Sequence, residues 1–293
     1  MSPLNRRDFL KTTIAASAVA SVGTLPLHAT GRTATDIVTL GNSGMKVTRL
    51  AFGTGSNNGH VQAALGQREF SRLIAYAYDR GIRFFETAEV YMTPGMLGEA
   101  LKPYPRDSYQ LMNKVTTDSG VNPQKRFDEM RRISQTEYFD IMLLHWQHTG
   151  DWMAETKHWQ DGMLEAQSKQ IIKTRGASVH GLPALRQVPG NKFLEVAMIR
   201  MNHKGTRMDG PVADDDNPGI VPEVVRHVKQ AKGEGMGVIS MKLCGDGTFT
   251  KHEDRQAAMR FAFQKAGIDC ATVGFKTTRE IDEAIDNMNL ALA

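Results

Sequence analysis

A phenol, an ammonium, an imidazole and a carboxylate occupy four places in this chain where they could act together. Glu86 ends the apolar run "RFFET", and Tyr91 follows in the next turn. Lys114 ends "YQLMNKV", and His145 ends the strongly apolar "FDIMLLH". Brought together, these side chains form a proton-donor arrangement. Tyrosine titrates near about 10, too high for an efficient acid at neutral pH, and a nearby ammonium lowers that value by favouring the phenolate. A carboxylate fixes the ammonium, and an imidazole N–H can bond a carbonyl oxygen as negative charge develops there. The group suits carbonyl reduction, with hydride from a cofactor and a proton from Tyr91. Each residue also has a plainer reading. Lys114 and Glu86 could be a structural pair, His145 a core histidine, Tyr91 a loop-packing ring and Glu89 a loop carboxylate.

For the four to meet, the runs that carry them must be neighbouring strands whose ends face one way. From residue 33 onward, short apolar runs alternate with amphipathic stretches. In "FSRLIAYAYDRG", for example, Phe70, Leu73, Ile74 and Tyr78 share one helical face. "KVTRLAFG", "RFFET", "YQLMNKV", "FDIMLLHW", "TRGASVH", "LEVAMIRMN", "GVISMKL" and "CATVGF" read as eight strands, each followed by a helical segment. This alternation predicts an α/β fold, a single-domain (β/α)8 TIM barrel of parallel strands over residues 33–293. Chemistry in such a barrel sits at the C-terminal strand ends. An open dinucleotide-binding sheet fits less well, because "GTGSNNG" lacks the Gly-x-Gly-x-x-Gly spacing.

Ahead of the barrel, "NRRDFLKTTIAASAVASVGTLPLHATG" places Arg6 and Arg7 before Phe9, Leu10 and Lys11. A mild apolar stretch follows, then small residues near Ala29. The segment resembles a twin-arginine export signal. Residues 1–32 are therefore expected to be a signal peptide and short leader. The twin-arginine translocase is the expected export partner and the periplasm the expected destination. The apolar run is too short and too weak for a stable membrane span. Removing residues 1–29 takes away Arg6, Arg7, Lys11 and Asp8 and lowers the formal net charge from +4 to +2. No basic stripe interleaved with aromatics points to nucleic acid. Two cysteines, Cys244 and Cys270, exclude a disulfide framework and a thiolate-held iron–sulfur cluster, and leave one bridge possible. His145, His148 and His158 lack the carboxylate or cysteine that would complete a metal site. "DDDN" at 214–217 reads as a solvated loop.

From about residue 37 to its end, the chain resembles the aldo-keto reductase family. "LGNSGMKVTRLAFGTG" is similar to the family's opening hairpin and first strand. "GIRFFETAEVY" is similar to its Gly-x-x-Phe-x-Asp-Thr-Ala-x-x-Tyr stretch, and "RRISQTEYFDIMLLHW" to the segment entering the fourth strand. "GASVH" stands where the family has a Gly-x-Ser-Asn strand end. The resemblance implies Tyr91 as proton donor, Lys114 as its partner and His145 as the substrate-polarising histidine. Glu86 takes the place of the usual lysine-pairing aspartate. A small carbonyl substrate is implied, with NADP(H) or NAD(H) as cofactor.

Ser178 falls where the family bonds the nicotinamide carboxamide, and Val179 replaces the usual asparagine. "MKLCGDG" offers Lys242, Gly245 and Gly247 to a pyrophosphate. "GFKTTREIDEA" offers Lys276, Thr277 and Arg279 at the start of the last helix. Two basic residues there favour a 2′-phosphate, hence NADP(H). Glu283 matches the adenine-contacting glutamate, and Ala284 replaces an asparagine. Trp146 becomes a wall of the substrate pocket. Trp152 and Trp159, from the same stretch, either join it or pack among themselves. The loop after Tyr91 is shorter than the family's, and the chain ends at Ala293 directly after the last helix, so an open pocket is expected. The resulting reading is an exported NADP(H)-dependent oxidoreductase acting on an aldehyde or ketone. The alternative is a nucleotide-binding barrel without turnover, serving as a redox sensor or binding subunit.

Overall fold

The computed structural model describes residues 32–213 and 218–293. The expected export signal and the acidic stretch at 214–217 lie outside the described residues. The chain enters through an antiparallel hairpin, β1 (Ile37–Thr39) and β2 (Lys46–Thr48). Eight further strands follow: β3 (Leu50–Gly53), β4 (Phe84–Glu86), β5 (Gln110–Val115), β6 (Phe139–Gln147), β7 (Ile172–Val179), β8 (Val196–Arg200), β9 (Gly237–Met241) and β10 (Cys270–Gly274). Their neighbour pairings are all parallel, and the sheet closes in the order β10-β3-β4-β5-β6-β7-β8-β9. The expected (β/α)8 barrel is the observed one. The run "KVTRLAFG" divides at Arg49, whose N–H bonds Asp36 O, so Lys46–Thr48 stays in the hairpin and Leu50–Gly53 joins the barrel.

Helices α1 (His60–Ala63), α2 (Gly66–Asp79), α3 (Pro94–Leu101), α4 (Pro123–Ile133), α5 (Trp152–Glu155), α6 (Lys157–Ser168), α7 (Leu182–Leu185), α8 (Val221–Gly233), α9 (His252–Arg260) and α10 (Thr278–Leu292) connect the strands. In α2 the buried residues are Phe70, Leu73, Ile74 and Ala77, a spacing that turns one apolar stripe onto the sheet. Each large apolar side chain so buried contributes about 1.5–3 kcal/mol relative to exposure. Helix α4 starts where Asn122 accepts a bond from Lys125 N and Pro123 fills the first helical position, whose N–H would have no partner. The four-residue helices α1 and α5 are too short to leave a periodic signature in sequence.

The barrel's lower end is filled by the hairpin, whose Leu40 and Val47 join the inner apolar cluster with Ala51, Phe84, Met112 and Ile141. Two clefts of about 490 and 440 Å³ lie around Ser43 at this end and contain none of the expected site residues. The upper end differs because of strand periodicity. Side chains alternate between the two faces of a strand. Phe84, Met112, Leu143 and Met198 point into the inner cluster. Two residues on from each stand Glu86, Lys114, His145 and Arg200. The same two-residue step that builds an apolar interior therefore raises a polar layer at the C-terminal mouth.

Candidate active site

Lys114 and Glu86 form a salt bridge in direct contact, with side chains 1% and 4% exposed. Lys114 Nζ also donates to Thr87 O at 2.7 Å and lies 4.7 Å from the centroid of the Tyr91 ring. The edge of one ring meets the face of the other between Tyr91 and His145, at 5.7 Å between centroids and 84° between planes. Tyr91, Lys114, His145 and Glu86 are thus gathered in one cluster. Glu89 is outside it: its carboxylate accepts from Thr116 N and Oγ1 and pairs with Arg126 at 3.2 Å, clamping the loop after β4 to the end of β5.

Burial pulls the pKa of Lys114 down. The Glu86 carboxylate in contact with it favours the charged form and so opposes that shift. His145 is lowered to about 3, by burial and then by the Lys114 charge, so its imidazole is neutral at physiological pH. The Tyr91 phenol is raised above its ordinary value, by burial and then by the charge of Asp246. This differs from the lowering expected from a nearby ammonium. Burial of the phenol outweighs the pull of the ammonium, which Lys114 shares with Glu86 and Thr87 O.

The β6–β7 seam carries an irregularity between Leu144 and Gln147. There Trp146 adopts a left-handed φ of 55°, its N–H bonds Ser178 Oγ at 3.0 Å, and its indole is 52% exposed and tilted onto His148 at 4.2 Å. That backbone conformation costs about 1 kcal/mol or more for a bulky residue and is held by the surrounding bonds. Gln147 contributes to them, donating to His145 O at 2.7 Å. Trp152 and Trp159 do not join the mouth: both are buried in helices, donating to Ala184 O and Asp118 O. Ser178 is buried at the end of β7, and Val179 is buried in the core between sheet and helices.

The expected cofactor residues fall into two further groups. Gly245 and Gly247 have φ of 59° and 91°, conformations that L side chains rarely adopt. A Cβ on Gly247 would meet nothing within 4 Å, so this backbone is open to a pyrophosphate. Asp246 between them lies 3.6 Å from Lys242 Nζ and 3.9 Å from Arg207. At α10, Thr277 Oγ1 caps Glu280 N at 3.2 Å, and the Glu280 carboxylate accepts from Lys276 N at 2.8 Å. Two of the N–H groups offered to a phosphate, those of Lys276 and Glu280, are therefore already engaged by the chain's own side chains. Lys276 and Arg279 are exposed and make no ion pair among the described residues. Glu283 is held by both arms of Arg255, at 2.5 and 2.9 Å. Gly245, unlike Gly247, is buried against Thr248 and Phe249, so the polar cradle at the mouth and the open backbone of Gly247 are the parts that fit a dinucleotide.

Sequence reasoning missed Arg200, which follows Met198 on the inner face and pairs with Asp209 in a fully buried contact of 2.7 Å. The strand period could have found Arg200. Asp209 could not be found this way, since it arrives from a loop. His180, buried just beyond Ser178, was missed too. Its pKa is pushed well down by burial and by Arg200, Lys242, His145 and Lys114, which locates it among the charges of the mouth. Both cysteines are free, and burial lifts Cys244 to about 11. Among the described residues, no three metal-ligating side chains come together, and no helix is long and apolar enough to cross a membrane.

The chain is 31% identical over 122 residues to "Probable aldo-keto reductase 1" of Glycine max, a match covering 37% of this chain and 35% of that protein. Against L-galactose dehydrogenase of Arabidopsis thaliana it is 28% identical over 262 residues, 82% of this chain and 76% of the relative. Among solved structures, an aldo-keto reductase of Bombyx mori in complex with NADP shares the fold, with a TM-score of 0.63 at 18% identity over 86% of this chain and 87% of that one. Residues 3–23 match the TAT (twin-arginine translocation) pathway signal sequence. Residues 49–289, nearly the whole barrel, match the Aldo/keto reductase family, and the chain belongs to that family.

Proposed function

We propose that the protein is an exported oxidoreductase that interconverts a small aldehyde or ketone and its alcohol, with Tyr91 as proton donor. The observation that carries this reading is Lys114, paired with Glu86, lying over the Tyr91 ring, with the His145 ring packed edge to face against the same phenol. A bound reduced nicotinamide would supply the hydride to the carbonyl carbon. The chain's own residues manage the oxygen. Neutral His145 donates a hydrogen bond to it, and Tyr91 transfers its proton to it as the carbon is reduced. The Lys114 ammonium then stabilises the phenolate until solvent reprotonates it. Ser178 is suited to orient the nicotinamide carboxamide, Lys242, Gly245 and Gly247 to hold the pyrophosphate, and Glu283 to meet the adenine. Trp146, exposed beside His145, suits a substrate wall. Residues 1–32 act as leader and 33–293 as the folded enzyme. The twin-arginine route carries folded proteins, so the dinucleotide would be loaded before export to the periplasm.

Lys276 and Arg279 favour a 2′-phosphate, and hence NADP(H). Glu280 opposes it, because a carboxylate at that helix start repels phosphate and suits a ribose hydroxyl. Glu280→Gln is expected to tighten NADPH binding roughly two- to five-fold and leave NADH nearly unchanged, as judged by fluorescence titration. An equal change for both nucleotides would remove Glu280 from the discrimination. The reading as a whole is tested on the mature protein, by titrating NADPH and NADH and assaying a panel of aldehydes and ketones. Failure to bind either nucleotide would sink it.

A further inference from the structure

We infer that Gly55, in the loop leaving β3, is a positioning residue for the Tyr91 phenol, an inference that rests on reading Tyr91 as the proton donor. A Cβ placed on Gly55 would lie 2.4 Å from Cε2, 2.5 Å from Cζ and 2.7 Å from Oη of Tyr91. The hydroxyl end of the ring thus lies against the bare Cα of Gly55. The backbone of Gly55 is not in the left-handed region, so an L side chain is conformationally acceptable there, and the phenol is what stands in its way.

The same loop also grips the chain just beyond Tyr91. Met92 N donates to Asn58 O at 3.2 Å. Thr93 Oγ1 lies 2.8 Å from Thr54 Oγ1 and 3.2 Å from Thr54 O, with both residues fully buried. Thr54 N in turn donates to Glu86 O at 3.0 Å, and Thr87 Oγ1 lies 3.4 Å from Thr93 Oγ1. The loop after β3 is therefore bonded to both flanks of the Tyr91 loop, and Gly55 lies against the hydroxyl end of the ring. "GTGSNNG" has the wrong spacing for a dinucleotide fingerprint, and its second glycine instead leaves room for the acid.

Non-bonded carbons rest about 3.5–4.0 Å apart, so a methyl group at residue 55 must push the ring by about 1 Å. A misplacement of that size costs on the order of 100-fold in rate. In the mature protein, Gly55→Ala is expected to lower kcat by about that factor while leaving nucleotide affinity within about two-fold. Gly150→Ala serves as the control, since a Cβ there meets nothing within 4 Å and its backbone is not left-handed. Thermal unfolding supplies a readout independent of activity. Gly55→Ala should lower Tm in the Tyr91 background and have no further effect in Tyr91→Ala, where the ring is gone. Full kcat in Gly55→Ala, or an equal Tm loss in both backgrounds, would overturn the inference. Full turnover in Tyr91→Phe would instead strike the proton-donor reading, and the Tm cycle would still decide whether Gly55 forms the slot.

Discussion

Tyr91→Phe is expected to reduce carbonyl turnover by about 10²- to 10⁴-fold while leaving dinucleotide affinity unchanged. The substitution removes one oxygen and keeps the ring that packs against Gly55 and Lys114. Stability and cofactor binding should therefore persist, and only the proton path is lost. The raised pKa of Tyr91 adds a pH signature. The phenol remains protonated through neutral and mildly alkaline pH, so wild-type reduction should hold steady from about pH 7 to about pH 9. Alcohol oxidation needs the phenolate as base and should climb with pH over the same range. A reductive rate that fell away near pH 8 would contradict the burial of the phenol. The comparison also separates the enzyme from the alternative of a nucleotide-binding sensor. Negligible turnover in both wild type and Tyr91→Phe, with binding intact, would favour the sensor.

The second large effect is on stability as well as rate. Glu86→Gln leaves the Lys114 ammonium buried without a counter-charge. Breaking a buried pair from one side costs about 3–5 kcal/mol. Part of that cost is avoided if Lys114 sheds its proton, which burial already favours. Either way the phenolate formed during reduction loses its stabilising cation, so turnover should fall together with Tm. Lys114→Met should do the same from the other side. Glu86→Gln combined with Lys114→Met should recover part of the Tm and none of the activity, because no charge is then stranded. Thermal melts and kcat measured across pH on the four proteins check this. Unchanged turnover across pH in Glu86→Gln would make Glu86 a structural residue only.

The strands were legible because each is a short apolar run, and several helices because their apolar residues recur on one face. The four residues of the cluster at the mouth were legible for a related reason. They stand where an apolar run stops, and in a parallel barrel those stops lie at one end. The roles of Trp152 and Trp159 were not legible. The two tryptophans follow Trp146 by six and thirteen residues, and nothing local says that two enter helices and one is turned outward. The decision lies in the irregularity of β6, where bonds from Ser178 and Gln147 hold Trp146 in a left-handed conformation. Asp209 beneath Arg200, and Arg255 across Glu283, were hidden because each pair joins separate segments.

By itself, the sequence determined the barrel, the end at which its polar residues collect, and the identity of those residues, since local periodicity dictates all three. Only the tertiary structure decided what those residues do to one another. Glu86 holds the Lys114 ammonium in place, and burial raises the phenol that the ammonium alone would have acidified. The Thr277 cap and Glu280 carboxylate engage the helix start that sequence had offered to a phosphate. The bare Cα of Gly55 makes space for a ring thirty-six residues away. Such terms depend on distance and burial, and neither quantity exists until the chain has closed.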